Sequence, residues 1–294
     1  MQPPLCLPSH PITRPPRIRL PRGSVDCHCH VFENPARYPL GTDRSYTPAF
    51  EPFSKYLRMC EVTGIDRTVQ VNSAIYGYDN SITLNVIAAF GQHRARGVAG
   101  IRPDSEAQEL EKLHAGGMRG ARLSTKVRGY GGTGLIDRIA PKLKPFGWHV
   151  DLHIGRNAEL ADLEAQLLRV PVPLVFDHLG GVRGSEGADA PGFRALLRIL
   201  RQRDDCWVKL SSFYRLSDSG PPDYADMKPM AQAAIDVRPD RVVWGSNWPH
   251  PNRYAEKDVP NDGDLIDVFC DWVPDAATRE RILVANPARL YGFP

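Results

Sequence analysis

The sequence predicts an α/β fold, a single-domain (β/α)8 or TIM barrel with an extended N-terminal arm. Three observations carry that prediction. Eight short apolar segments rich in β-branched residues recur along the chain, helix-spaced segments separate them, and polar residues gather where most of the strand-like segments end. Eight parallel strands could also stay open as a doubly wound sheet, and periodicity alone does not separate the two. No internal repeat and no second-domain linker interrupts the pattern.

Taken in order, residues 1–22 are Pro-rich and basic without periodicity, which suits an extended arm lying on the surface or on a neighbouring subunit. The barrel is expected over 23–294. Its strands are predicted at Ser24–His28, Arg67–Val71, Gly97–Ile101, Met118–Leu123, His149–His153, Pro173–Asp177, Cys206–Leu210 and Arg241–Trp244. Helices are predicted at Phe53–Val62, Ile82–Phe90, Ala107–Leu113, Leu135–Leu143, Leu160–Leu168, Phe193–Leu200 and Met227–Ile235, with Leu265–Cys270 and Arg279–Leu283 after the last strand. The Gly- and Pro-rich stretches Gly129–Gly134, Gly180–Pro191 and Ser217–Pro222 each follow a strand, where a barrel carries its functional loops.

Composition narrows the function. With 37 Lys+Arg against 34 Asp+Glu the net charge is +3 over 294 residues, too slight for a nucleic-acid or anionic-membrane surface. No run approaches the roughly 18 apolar residues of a membrane span, and the arm lacks the apolar stretch of a secretory signal. A cytoplasmic enzyme is expected. The six cysteines are scattered, and Cys27 and Cys29 are one residue closer than a redox or zinc pair, so buried thiols are the expected reading.

Chemistry in such a barrel sits at the carboxyl ends of the strands. Here those ends read Val25-Asp26-Cys27-His28-Cys29-His30, Arg122, His153, Asp177-His178, Ser211 leading to Arg215, and Trp244-Gly245-Ser246-Asn247-Trp248-Pro249-His250. His28 and His30 are two apart, so a strand directs both to one face, where they can share a metal or a substrate group. His10, His93, His114 and His149 fall elsewhere and read as surface or core residues. Glu33, Asp79, Asp151 and Asp218 are the remaining carboxylates near strand ends. Asp151 shares a face with His153 and is a minor candidate base, with an ion pair inside the barrel as its plainer reading. No Ser nucleophile elbow is present, and Gly129–Gly134 lacks the lysine of a phosphate loop, so it reads as a flexible loop over the site.

The segments Val25–Phe32, Gly117–Arg122, Phe176–Gly180, Trp244–Pro251 and Asn286–Tyr291, in this order, resemble the amidohydrolase superfamily, in particular its branch of lactonases related to 2-pyrone-4,6-dicarboxylate lactonase. The resemblance runs from about Ser24 to the C-terminus. It implies a (β/α)8 barrel and hydrolysis of an anionic lactone in aromatic-compound degradation. It makes Arg122, Arg128 and Arg215 the clamps for the substrate acids, with Tyr46 a weaker contributor. Several always-charged guanidinium forks at one mouth independently suit a dianionic ligand.

The resemblance also places His178 at the reacting carbonyl or the water, for polarisation or proton transfer. His28 and His30 match a pair that binds metal in most of the superfamily, whereas the pyrone dicarboxylate lactonases turn it on the substrate. Two departures stand out. His153 replaces a Tyr of those lactonases and restores the third imidazole of single-metal members, which favours one divalent ion, zinc or manganese, held by His28, His30, His153 and Asn247. Asn247 stands where the family carries the Asp of its general base, and an amide has no basicity near neutral pH. The expectation is therefore a lactonase whose catalytic set is His178, Asn247, His28 and His30. A superfamily decarboxylase of an acidic substrate, or an impaired form that only binds the lactone, are the alternatives. The expected partner is a small anionic lactone, with no nucleic acid and no membrane, and a homo-oligomer is left open.

Overall fold

All eight predicted segments form strands that pair parallel in chain order: β1 (Val25–Cys29), β2 (Arg67–Val71), β3 (Ala95–Ala99), β4 (Met118–Ser124), β5 (His149–His153), β6 (Leu174–Phe176), β7 (Cys206–Ser211) and β8 (Val242–Gly245). The computed structural model describes residues 3–294. β8 returns to β1, with the Asn247 N–H donating to the His28 carbonyl at 2.7 Å and the His30 N–H to the Trp248 carbonyl at 2.8 Å. Those bonds bring the two ends of the sheet together as a barrel, the closed alternative of the two the sequence allows.

The largest shift in a strand boundary has a local cause. β3 begins at Ala95, two residues before the predicted Gly97, because Ala95 and Arg96 pair with Thr68 and Val69. Beyond Ala99 the Gly100 N–H leaves the ladder for Asn80 Oδ1 at 2.9 Å. In β1 the register slips by one residue, from Asp26 opposite Thr68 to Cys29 opposite Gln70. Such a bulge re-aims side chains. Val25 and Cys27 pack with Val69, Val175 and Val243 in the smaller apolar cluster, under Tyr291 and Phe293, while His28 and His30 stay in phase beyond it.

The outer layer comprises α1 (Phe53–Thr63), α2 (Ser81–Phe90), α3 (Ala107–Ala115), α4 (Ile136–Leu143), α5 (Glu159–Leu167), α6 (Pro191–Gln202), the single turn α7 (Phe213–Leu216), α8 (Lys228–Val237), α9 (Asp262–Trp272), α10 (Ala276–Glu280) and α11 (Asn286–Tyr291). α6 illustrates their construction. Pro191 opens it, Phe193, Leu196, Leu197 and Leu200 are buried on one face, and Arg194 and Arg198 stay exposed. Arg198 reaches Glu164 of α5 with two bonds of 2.8 and 2.6 Å. Burying each leucine contributes about 1.5–3 kcal/mol, so the apolar face rather than the surface pair holds α6 in place. α1 stops at Gly64, whose left-handed φ of 81° lets its N–H cap the Cys60 carbonyl.

The arm lies on its own barrel. Cys6 donates its N–H to Thr47 at 2.8 Å and Leu7 to Arg253 at 2.9 Å. Ser9 binds Glu51 through its N–H and its hydroxyl, and Arg17 pairs with Asp267 and Asp271. Cys6 and Leu20 are buried, as are all six cysteines, none of which forms a disulfide. No helix of the described residues is long and apolar enough to cross a membrane.

Candidate active site

Asp177, at the end of β6, organises the mouth of the barrel. Its Oδ1 lies 3.1 Å from His28 Nδ1 and 3.1 Å from Lys209 Nζ, and its Oδ2 receives Arg122 through Nε at 2.9 Å and Nη2 at 2.8 Å. Lys209 continues the chain to Asp151 at 2.6 Å. All five side chains are buried. Burial opposes ionisation of Asp177, but Lys209, His28 and Arg122 outweigh it and hold the carboxyl well below its usual range. An ionised Asp177 fixes the proton of His28 on Nδ1, leaving Nε2 as a lone pair, and that nitrogen is buried without a partner.

Other rings are fixed in a similar way. His30 Nδ1 donates to the Val71 carbonyl at 2.7 Å, His153 Nδ1 lies 3.2 Å from Ser124 Oγ, and His178 Nδ1 lies 2.7 Å from Ser211 Oγ. Ring centroids are 5.1 Å apart for His28 and His30, 4.6 Å for His28 and His178, and 5.2 Å for His153 and His178. Burial lowers the pKa of every one of these imidazoles, that of His30 to about 3 with Arg122 adding to the effect. They are neutral at physiological pH, the state in which an imidazole accepts a proton or binds a metal.

Backbone shape at two strand ends presents these groups. His178 turns off β6 with φ of 52°, and Asn247 turns off β8 with φ of 61°, a left-handed conformation that Asn tolerates. Asn247 Nδ2 donates to the Tyr214 hydroxyl at 2.8 Å, and its Oδ1 is buried and unpartnered. Tyr214 in turn meets His250 Nδ1 at 3.0 Å, and His250 Nε2 lies 3.2 Å from Asp262 Oδ1. Behind β1, Asp26 accepts from the His28 N–H, the Ser246 N–H and hydroxyl, and the Tyr56 hydroxyl. Burial nevertheless raises its carboxyl to about 6.

His30, Tyr46, Arg122, His153, His178, Arg215 and Asn247 line one pocket, with His28 against His178. Arg128 is not among them. Its side chain is exposed, its Nε lies 3.5 Å from Asp43 and its Nη2 bonds the Arg44 carbonyl at 3.5 Å, because it rides on the loop after β4 rather than on the strand. Tyr46 is buried with its hydroxyl 2.9 Å from Ser73 Oγ. Asp151 is an ion-pair partner of Lys209.

Sequence reasoning missed Lys209 and the bridging role of Asp177. A lysine inside the apolar run Cys206–Leu210 was the available signal, since a charge there must find a partner. Tyr214 and Asp262 carried no local signal.

The ligand atoms of His28, Asp177 and His178 lie within 4.8 Å of one another, a spacing that could hold a metal ion. This group shares only His28 with the set expected from sequence. Asp177 already meets Lys209, Arg122 and His28, so the imidazoles are the donors free to turn to a cation. A buried, unpartnered His28 Nε2 beside other neutral rings suits a divalent ion. The pocket, about 20 Å3, has room for a water molecule but not for a lactone.

Known proteins resemble the chain along nearly its whole length. The sequence model of the Amidohydrolase family matches residues 25–293. A 4-sulfomuconolactone hydrolase of Hydrogenophaga intermedia is 38% identical over 98% of this chain and 95% of its own. A 2-pyrone-4,6-dicarboxylate hydrolase of Comamonas testosteroni is 33% identical over 94% of this chain and 92% of its own. The crystal structure of a probable 2-pyrone-4,6-dicarboxylic acid hydrolase from Acinetobacter baumannii, with citric acid bound, superposes with a TM-score of 0.78 at 26% identity, covering 92% of this chain and 100% of that one.

Proposed function

The chain belongs to the amidohydrolase family, and from that premise we propose that it hydrolyses a lactone carrying acidic groups, in the degradation of aromatic compounds. One observation carries the reading: the Arg215 guanidinium, with no carboxylate within 4.0 Å among the described residues, shares a pocket with neutral imidazoles. An unpaired, half-buried cation beside proton acceptors suits an anionic ester and the water that opens it.

Arg215 and the Nη1 edge of Arg122, which Asp177 leaves free, hold the acids and set the ring against the imidazoles. The Asn247 amide oxygen accepts a hydrogen bond from the attacking water and orients it. His178, neutral because burial holds its pKa low, receives the proton as the water oxygen bonds to the carbonyl carbon. The ring C–O bond then breaks, the ring oxygen takes a proton back, and the product is an open-chain acid. Arg122 lies at hand for the charge that builds on the carbonyl oxygen. A divalent ion, zinc or manganese, would be held by the imidazoles of His28, His30 and His153, and would supply Lewis-acid polarisation of that carbonyl.

The test is to incubate the purified protein with 4-sulfomuconolactone and 2-pyrone-4,6-dicarboxylate, with and without added Zn2+ or Mn2+, and to follow ring absorbance and acid release. Ring opening with proton release is expected, and chelation is expected to slow it. Release of carbon dioxide instead identifies a decarboxylase. Binding without turnover under every metal condition overturns the hydrolase and leaves a carrier of the same ligands.

A further inference from the structure

Beside the imidazole pocket lies a groove of about 1320 Å3 between the arm, α7 and the segment before α9, and Arg215 lines both spaces. The arginines of this groove fall into two groups. Arg14, Arg17 and Arg183 are paired, with Asp264, with Asp267 and Asp271, and with Asp218. Arg215 and Arg253 have no carboxylate within 4.0 Å among the described residues. Of the Arg253 guanidinium, Nε is buried without a hydrogen-bond partner. The remaining charges on the groove, Lys228 and Lys257 against Asp223 and Asp258, balance in sign.

Tyr214 ties the two unpaired arginines together. Arg215 follows it in α7, and the Arg253 guanidinium stands over its ring at 5.5 Å from the centroid. The backbone of Arg253 is fixed by the arm, through the Leu7 N–H on its carbonyl, so this guanidinium is positioned rather than free to swing away with its loop. Two guanidiniums near each other without a counterion repel, and burial together with Arg253 lowers the pKa of Arg215. A bound anion removes that repulsion, and each planar fork can meet a sulfonate or carboxylate with two hydrogen bonds.

We propose that Arg253 and Arg215 form a second anion subsite, facing the groove, which takes the sulfonate or carboxylate of the lactone farthest from the reacting carbonyl. Arg122 takes the nearer acid. The subsite thus sets a preference for substrates with two acids, and it accounts for a groove that continues past a pocket of about 20 Å3. The identity of the ligand rests on the lactone-hydrolase reading, whereas the binding of an anion at Arg253 does not.

Calorimetry with the full chain and two probes tests it: sulfosuccinate, which carries a sulfonate beside two carboxylates, and succinate. Wild type is expected to bind sulfosuccinate more tightly, and Arg253→Ala to weaken that binding about tenfold to hundredfold, the range for a lost charge-assisted contact. Arg253→Gln, which keeps side-chain length, is expected to weaken it similarly, and Arg253→Lys less. In turnover, the preference of Arg253→Ala for a two-acid over a one-acid lactone is expected to fall about tenfold. Equal sulfosuccinate affinity in wild type and folded Arg253→Gln, or no sulfosuccinate binding by wild type, overturns the subsite. Arg253-dependent binding without turnover of any lactone supports the subsite and removes the hydrolase reading. Lactone turnover with an unaltered acid preference in Arg253→Gln does the reverse.

Discussion

The Asn247 side-chain amide donates to the Tyr214 hydroxyl at 2.8 Å, and this single bond decides which end of the amide faces the pocket. With Nδ2 taken, Oδ1 is the end left buried and without a partner. In the proposed mechanism that oxygen accepts a hydrogen bond from the attacking water, and an amide has no basicity with which to take the proton. Tyr214 is fixed in turn by His250, and His250 by Asp262.

Tyr214→Phe removes the acceptor and frees the amide to rotate. The expected result in steady-state kinetics is a fall in kcat of up to about 10²-fold with KM nearly unchanged, because orientation of the water is lost and the acid clamps remain. A rise in KM at constant kcat would contradict the assignment.

Asn247→Asp introduces a carboxylate where the proposed mechanism orients the water. Its activity is expected to acquire an acidic limb, lost as pH falls through the carboxylate's pKa, which burial at this position holds above the ordinary value of about 4. The wild-type profile has no group at this position to titrate. Superimposable pH–rate profiles would mean that position 247 does not face the reaction.

Arg122 and Arg215 are expected to separate stability from binding. Arg122 is buried and holds Asp177 with two contacts, so Arg122→Ala leaves a buried carboxylate short of a cation and costs about 3–5 kcal/mol in urea unfolding. Arg215 holds no carboxylate among the described residues, and Arg215→Ala is expected to change stability by less than about 1 kcal/mol. Both substitutions weaken binding of an anionic lactone. Equal loss of stability in the two variants would contradict the pairing described.

His250 predicts a pH dependence of stability. Burial opposes its charge, but Tyr214 and Asp262 outweigh that and raise its pKa to about 9 from 6.5. A raised pKa means that the folded state holds the proton more tightly, so the contribution is fully present below about 6.5 and is lost as pH rises through about 9. The shift corresponds to a contribution on the order of 3 kcal/mol. Urea midpoints of wild type should fall across that window, and those of His250→Gln should fall less.

The barrel was legible because its signals are local. β-branched runs and helical spacing alternate along the chain, and a period of two puts His28 and His30 on one face even across the bulge in β1. The strand ends likewise named His153, His178, Arg122 and Asn247, all of which reach one pocket. Arg128 was expected there and is not, since a loop residue has no period to fix its direction and Asp43 draws it outward.

The sequence alone determined the element order, the closure-compatible count of strands and the kinds of side chain at the mouth, because each depends on neighbours a few residues away. Only the tertiary structure decided that Lys209 lies between Asp151 and Asp177, that Tyr214 orients Asn247, and that Arg253 shares a groove with Arg215, neither having a carboxylate partner among the described residues. Those relationships join residues from separate strands and loops. A charge in a buried site takes whichever partner packing brings within a few ångströms, and distance along the chain carries no record of that choice.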